Sequence, residues 1–311
     1  VSASRIVSWG SALPEKVVTN ADLSAYLDTS DEWIVERTGI RERRVGGTTS
    51  SLAIDAAQAA LERIGRRGSD VDMLLLSTTT PEQTVPATSA TVSAALGTGG
   101  GAMDLNAACA GFVYGLVVGD GMIASGAKRV LLIGSDTLST ITDWDDRSTA
   151  VLFADGAGAV VLEPDPDGGA LLAWDLGVDG TAQPLLYCDH GSTMRMDGRE
   201  VFRRAVRAVV QSAEIVLERA GVRPEEIAVC IPHQANIRIL EAANARLGIP
   251  MDRTVVVLDR TGNTSSGSVP LALAAAADDG RLHPGDLVLF SGFGAGMTWA
   301  SALVRWTVDA A

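Results

Sequence analysis

Several functional classes are closed to this chain by what it lacks. Its 311 residues include only three cysteines, Cys109, Cys188 and Cys230, at irregular spacing. They form neither a disulfide framework nor a zinc pattern, and their scarcity fits a reducing cytoplasm. Lysine occurs only at Lys16 and Lys128, no basic run is present and the formal net charge is −13, which argues against nucleic-acid binding. No apolar stretch is long enough to span a bilayer, and residues 1–7 lack the basic and then apolar segments of an export signal. The expectation is a cytoplasmic protein with no membrane anchor. No metal is expected either: Cys188 and His190 stand two apart, and two ligands with no third nearby do not make a metal site.

What is present is a globular composition, 47% hydrophobic and 20% charged, in a chain long enough for two domains. Its element order is written twice. In the first half a helix over 51–66 leads to a strand over 72–77. A helix over 89–96 and a short strand over 102–105 follow, then the Cys109 turn, an apolar helix and a strand over 130–135. In the second, a helix over 201–220 leads to a strand over 227–231. Next come a helix over 237–247, a strand over 254–258, the turn around Asn263, an apolar helix over 270–277 and a strand over 287–292. The offset barely moves: Thr80 and His233 lie 153 apart, Cys109 and Asn263 154, and Val130 and Leu287 157. That regularity indicates an internal duplication.

Short apolar strands alternating with helices predict parallel sheets covered on both faces. The helices after Cys109 and Asn263 are too apolar for an outer layer; residues 110–125 carry one charge, Asp120. They are expected to pack between the two sheets. The predicted architecture is a five-layer α/β/α/β/α sandwich of two duplicated halves, 1–165 bearing Cys109 and 166–311 bearing His233 and Asn263. Ligands of open α/β sheets bind beyond the carboxyl ends of strands, where all three residues fall.

Cys109 sits at a strand-to-helix junction. The unsatisfied N–H groups and positive dipole end of the following helix are expected to lower its pKa and supply a thiolate for covalent capture of an acyl group. His233, in Ile-Pro-His-Gln-Ala-Asn, can donate to a developing oxyanion or shuttle a proton. Asn263, in Thr-Gly-Asn-Thr-Ser-Ser-Gly, donates N–H groups without ionising, which suits an enolate. Residues 293–299, Phe-Gly-Ala-Gly-Met-Thr-Trp, can bring a backbone N–H close to a ligand. Taken singly, each has a plainer reading: core cysteine, core histidine, turn or cap asparagine, tight turn. Their matched places in the two halves favour a common site.

Six stretches together resemble the β-ketoacyl-acyl carrier protein synthase III family of the thiolase superfamily, in family order over nearly the whole chain. They are residues 28–44, 104–112 (Asp-Leu-Asn-Ala-Ala-Cys-Ala-Gly-Phe), 153–159 (Phe-Ala-Asp-Gly-Ala-Gly-Ala), 231–238, 258–265 and 293–299. The resemblance implies a thiolase-like fold and a cofactor-free homodimer whose substrates are acyl-CoA and malonyl-acyl carrier protein. Cys109 would take the acyl group, and His233 and Asn263 would hold the enolate formed by loss of carbon dioxide. The backbone N–H groups of Cys109 and Ala295 would form the oxyanion hole. Thr29, Trp33, Arg37, Arg147, Gly198, Asn236, Arg238 and Phe293 would bind CoA and its pantetheine arm. Arg203, Arg204, Arg207, Arg238 and Arg246 would face the acidic carrier protein, the alternative for the helix arginines being a solvated face. Family members set acyl-chain length with a loop from the other subunit, here residues 83–88; Val85 stands where some relatives carry a bulky aromatic, so a primer longer or more branched than acetyl is expected. Two alternatives share this fold: a non-decarboxylating acyltransferase to an alcohol or amine, and a ketosynthase III that primes polyketides. The second cysteine of thiolases is missing from 292–296.

Overall fold

The structure is a computed structural model, and it describes residues 3–308. The first sheet contains β1 (Ser4–Ala12), β2 (Met73–Ser77), β3 (Gly101–Leu105), β4 (Val130–Thr137) and β5 (Asp155–Pro164), in the order β1-β5-β4-β2-β3. The second contains β6 (Leu171–Val178), β7 (Val229–Pro232), β8 (Leu287–Gly294) and β9 (Thr298–Arg305), in the order β7-β8-β9-β6. Strand β4 is buried along its whole length, as expected of a strand flanked on both edges and covered on both faces.

The sheets are mixed, which corrects the expectation of parallel ones. Strands β3, β2 and β4 run parallel, but β5 is antiparallel to β4 and to β1; β8 is parallel to β7 and antiparallel to β9. The tight turn Ala295–Met297 sends the chain straight back into β9, while a longer loop over 138–154 with two short helical turns leads it back into β5.

The longer helices are α1 (Asp31–Thr38), α2 (Thr49–Arg63), α3 (Thr88–Leu96), α4 (Gly111–Ala124), α5 (Gly198–Ala220), α6 (Ile237–Leu247) and α7 (Ser268–Asp278). Helices α4 and α7 lie between the sheets. Their Phe112, Val113, Leu116, Val269 and Leu273 share one core with Leu132 and Val160 of the first sheet and Ile231 and Phe290 of the second. Asp120, the one charge in α4, is held by the Ser4 N–H at 2.8 Å and the Ser4 hydroxyl at 2.7 Å. The outer faces are covered by α2 on the first sheet and by α5 and α6 on the second. The five-layer sandwich is as expected. No helix among the described residues is long and apolar enough to cross a membrane.

The expected strand at 254–258 is reduced to a single bridge from Thr254 to Cys230. The buried side chain of Gln234 takes over the pairing of that segment. Its amide nitrogen donates to the carbonyls of Pro232 (2.8 Å) and Val255 (3.1 Å), and its oxygen accepts from the N–H groups of Val257 (3.0 Å) and Leu258 (3.3 Å). A side chain thus satisfies backbone groups that a strand would otherwise pair.

Structural equivalence also revises the sequence pairing. Val130 and Leu287, Ala108 and Ser265, and Gly111 and Ser268 open matching elements, and each pair differs by 157. Cys109 therefore corresponds to Ser266, and Asn263 to Asn106. Leu74 pairs with Leu131 and Val229 with Val288, so His233 corresponds to Thr78 rather than Thr80. Ala108 (φ 49°) and Ser265 (φ 51°) are the two non-glycine residues with left-handed backbone among those described, and they occupy equivalent turns.

Replacing Gln234 with Leu leaves buried donors and acceptors without partners. The expected loss of stability is about 2–4 kcal/mol in urea unfolding. An unchanged midpoint would contradict the role given to this side chain.

Candidate active site

The nucleophile turn is built by its neighbours. After β3, the Asn106 side-chain oxygen accepts from the Ala108 N–H at 3.1 Å, Ala108 takes its left-handed conformation, and the 3-10 turn Ala108–Ala110 leads into α4. Gly111 leaves room for Ser77, whose hydroxyl oxygen would lie 2.0 Å from a Cβ there and would have to move. Gly294 clears the other side: a Cβ there would lie 2.5 Å from the Cys109 backbone nitrogen. Thr298 then ties the glycine loop to this turn, donating to the Ala107 carbonyl at 2.9 Å and sharing its proton with that of Ala295 at 3.1 Å.

The expected lowering of the Cys109 pKa is not found. Burial pushes the thiol up to about 12; a hydrogen bond with the Ser265 side chain works against this, the Asp136 carboxylate adds to it, and the residue's own backbone hydrogen bond opposes it. Desolvation of a thiolate outweighs the helix end here. The resting nucleophile is a neutral thiol.

His233 follows β7, and its N–H donates to the Ser291 carbonyl at 2.7 Å. Its ring stands edge-on to Phe293, with centroids 5.4 Å apart. Burial lowers its pKa to about 3, so the imidazole is neutral. Nδ1 lies 2.6 Å from the Ser268 hydroxyl, which also accepts from the Gln234 N–H at 3.3 Å. With one lone pair of that hydroxyl taken by the Gln234 N–H, we assign its proton to Nδ1, the tautomer that carries the histidine proton on Nε2. Asn263 is fixed on both sides of its backbone: its N–H donates to Leu152 and its carbonyl accepts from Ala154, both at 2.9 Å. Its side-chain oxygen accepts from the Ser265 N–H at 2.9 Å, which leaves the NH₂ as the donor end.

One cavity of about 840 Å³ joins Cys109, His233 and Asn263. Its floor holds these shielded residues, and its mouth holds the exposed Arg37, Arg199 and Arg238 with the half-buried Trp33. An apolar wall of Leu138, Ile141, Leu186, Met194 and Met196 completes it, with Cys188 alongside. His190 is not part of the lining.

The other predicted residues fall as follows. Gly198, Asn236 and Phe293 line the cavity, as do Ala295 and its glycine neighbours. Asn236 also caps α6, accepting from the Arg238 N–H and donating to the Arg37 carbonyl, both at 2.9 Å. Arg37 and Arg147 hold their guanidinium groups 4.8 and 4.7 Å from the Trp33 ring centroid. Arg147 itself is outside the lining, and so is Thr29, whose buried hydroxyl has no hydrogen-bond partner. Val85 is 82% exposed and does not reach its own chain's cavity.

The arginine patch is divided between two clefts. Arg203, Arg204 and Arg207 line one of about 380 Å³, and Arg199, Arg203 and Arg246 line one of about 490 Å³. Arg203 pairs with Glu200 at 2.8 Å and Arg204 with Asp179 at 3.0 Å, so part of the positive charge is neutralised. Arg238 stands over the Phe202 ring at the cavity mouth, 5.7 Å from its centroid.

Sequence reasoning missed Ser265, Ser268, Asp136 and Gly294. Ser265 and Ser268 follow Asn263 closely, but nothing in their spacing shows that one meets the thiol and the other the imidazole.

Two family models match the chain. One described as 3-oxoacyl-[acyl-carrier-protein (ACP)] synthase III matches residues 103–180, and one described as 3-oxoacyl-[acyl-carrier-protein (ACP)] synthase III C terminal matches residues 217–306. A β-ketoacyl-[acyl-carrier-protein] synthase III of Roseiflexus sp. (strain RS-1) is 48% identical, over 97% of this chain and 98% of the relative. The chain belongs to the β-ketoacyl-acyl carrier protein synthase III family. Among solved structures of that family, the 3-oxoacyl-[acyl-carrier-protein] synthase III of Aquifex aeolicus VF5 superposes with a TM-score of 0.96 at 44% identity, covering 97% of this chain and 100% of the other. The priming β-ketosynthase of the R1128 polyketide pathway superposes with a TM-score of 0.94 at 34% identity, covering 99% and 97%.

A raised thiol pKa has a direct consequence in the free enzyme. Alkylation of Cys109 by iodoacetamide at pH 7 should be at least about tenfold slower than that of free cysteine and should still be rising near about pH 9. A plateau below about pH 8 would contradict the neutral resting state.

Proposed function

We propose that this chain catalyses the condensation that starts fatty acid synthesis. An acyl group passes from acyl-CoA to Cys109, and malonyl-acyl carrier protein then adds two carbons with loss of carbon dioxide. The observation that carries this reading is the single cavity shared by Cys109, His233 and Asn263. The halves 1–165 and 166–311 divide the work, the first holding the acyl group and the second the enolate.

In the first step the Cys109 sulfur attacks the thioester carbonyl. The oxyanion is received by the N–H groups of Cys109 and Ala295, and the C–S bond to CoA breaks. The thiol proton ends on the CoA sulfur, so the exchange needs no standing thiolate. In the second step the malonyl thioester oxygen accepts from His233 Nε2–H and the Asn263 NH₂. Its carboxylate leaves as carbon dioxide, and the resulting carbanion attacks the acyl-enzyme. The tetrahedral adduct collapses to 3-oxoacyl-carrier protein and expels the Cys109 sulfur, which takes a proton from solvent. Two neutral donors suit this step, because a cationic imidazole in so buried a pocket would cost desolvation energy. Asn263 on the cavity floor disfavours simple transfer to an alcohol or amine, which has no enolate to hold.

The pantetheine arm enters between Trp33, Arg37 and Arg238, and the adenine end meets Trp33 where Arg37 and Arg147 already stack. Arg203, Arg204, Arg207, Arg238 and Arg246, with Arg199 added from the second cleft, give an acidic chain a local positive surface for an acidic carrier protein. The reading is of a cytoplasmic homodimer without a cofactor, in which the exposed Val85 serves the acyl pocket of a second copy. The apolar wall of Leu138, Ile141, Met194 and Met196 supports primers longer or more branched than acetyl. The similarity to a polyketide-priming ketosynthase supports a second reading, in which the same chemistry feeds a specialised carrier protein.

Two measurements test this. In Asn263→Ala or His233→Ala enzyme, intact mass should still show acyl-Cys109 after incubation with acyl-CoA, while carbon dioxide release from malonyl-carrier protein falls about 10²–10³-fold. Parallel loss of both steps would contradict the division of roles. A panel of acyl-CoA primers should favour chains beyond acetyl, and strict acetyl preference would refute the reading of Val85 and the apolar wall.

A further inference from the structure

Behind the nucleophile lies a carboxylate that the mechanism above does not use. Asp136, near the end of β4, is fully buried. Among the described residues no Lys, Arg or His forms an ion pair with it. Its partners are all donors. Oδ1 is approached by the Thr78 hydroxyl (3.1 Å), the Thr79 N–H (2.7 Å) and hydroxyl (2.9 Å), and the Thr80 hydroxyl (3.1 Å). Oδ2 accepts from the Ser266 N–H (3.0 Å) and hydroxyl (2.6 Å).

These two oxygens face different halves of the chain. Thr78, Thr79 and Thr80 follow β2 of the first sheet, and Thr79 lines the catalytic cavity. Ser266 belongs to the Ser265–Gly267 turn that opens α7. In that turn the Ser265 hydroxyl meets the Cys109 thiol, and the Ser265 N–H holds the Asn263 side chain. Ser266 is further anchored to the first sheet by its shared hydroxyl contact with the Ser77 carbonyl at 2.8 Å. A buried carboxylate is costly unless donors surround it. Here the donors come from both sides of the junction where the active site is assembled.

We propose that Asp136 is a positioning residue for the condensation step, clamping the turn that carries Asn263 and Ser265 to the 78–80 loop of the opposite half. Asn263 and Cys109 are thereby held in register across the two halves. The inference rests on the function proposed above. An asparagine in its place keeps one acceptor and turns an NH₂ toward the Ser266 N–H, so the clamp opens on one side while the size of the side chain is kept. The titratable groups around this junction are Cys109, His233, Asp155 on β5 and Asp136 itself. Asp136 works against ionisation of the Cys109 thiol. Removing its charge should therefore ease thiolate formation even as condensation slows, a combination that general loosening of the fold does not produce.

The test compares Asp136→Asn and Ser266→Ala with the unmodified chain. For Asp136→Asn, acyl-Cys109 should still form from acyl-CoA. The kcat for condensation should fall at least about tenfold with KM for malonyl-carrier protein within about threefold, and the pH midpoint of Cys109 alkylation should move down. Ser266→Ala leaves the carboxylate in place, so kcat should fall about three- to tenfold with the alkylation midpoint unmoved. If acylation and condensation fall together in proportion to the folded fraction, with no change in midpoint, Asp136 is only structural and the proposal is overturned. Unchanged kcat in Ser266→Ala also overturns it, and decides the matter if Asp136→Asn does not fold. A failure of the functional reading itself is distinct, because then the unmodified enzyme releases no carbon dioxide from malonyl-carrier protein.

Discussion

The structure depends on how two similar halves are locked together by hydrogen bonds beside the active site. Between them, α4 and α7 are apolar and hold their sheets by close packing, a contact without direction along its surface. Direction comes from hydrogen bonds that cross between the halves, at Asn263 with Leu152 and Ala154, at Thr298 with Ala107, and most densely around Asp136. Four donors of the first half and two of the second meet on one buried carboxylate, beside the turn that bears Cys109 and the turn that bears Asn263. Hydrogen bonds have narrow geometry where apolar contacts do not. The junction therefore sets distances inside the cavity that packing alone leaves free.

The electrostatics of the cavity follow from the same burial. A thiol pushed up to about 12 and an imidazole pulled down to about 3 give a site that is neutral at rest, although the chain carries a net charge of −13. Among the residues that line the cavity, charge is confined to the mouth, where arginines stand around Trp33 and α5, while the Asp136 carboxylate lies behind the nucleophile turn and outside the lining. Such a division suits a reaction whose substrates arrive as anions but whose bond changes pass through oxyanions held by neutral donors. Family membership adds that many proteins with this architecture are synthases of the same class.

Much of this was legible in the sequence, for reasons that can be named. Repeated apolar strands and two unusually apolar helices revealed the duplication and the five layers, because burial on both faces leaves little room for charge: Val130–Thr137 and 110–125 carry one charged residue each, Asp136 and Asp120. Cys109, His233 and Asn263 stood out because each follows an expected strand, real for the first two and reduced to a bridge for the third, and all three line one cavity. What stayed hidden depends on long-range partners. The antiparallel strands β5 and β9 read like any apolar run. The segment at 254–258 looks like a strand until Gln234 is seen pairing it. The Cys109 thiol was expected to ionise easily from its helix end, but the burial that raises its pKa comes from distant elements such as the Ser265–Gly267 turn. Asp136 is one acidic residue at the end of a strand, and only folding brings Ser266 to its second oxygen.

The central claim is that His233 and Asn263 act together on one enolate oxygen across from the acyl-sulfur. A double-mutant cycle on single-turnover carbon dioxide release, with His233→Ala, Asn263→Ala and both changes in pre-acylated enzyme, tests it most directly. Donors sharing one oxygen should be coupled, so that the double variant is slower than the worse single variant by less than about tenfold. Rate losses that multiply fully in the double variant would mean that the two side chains act independently and would contradict the account.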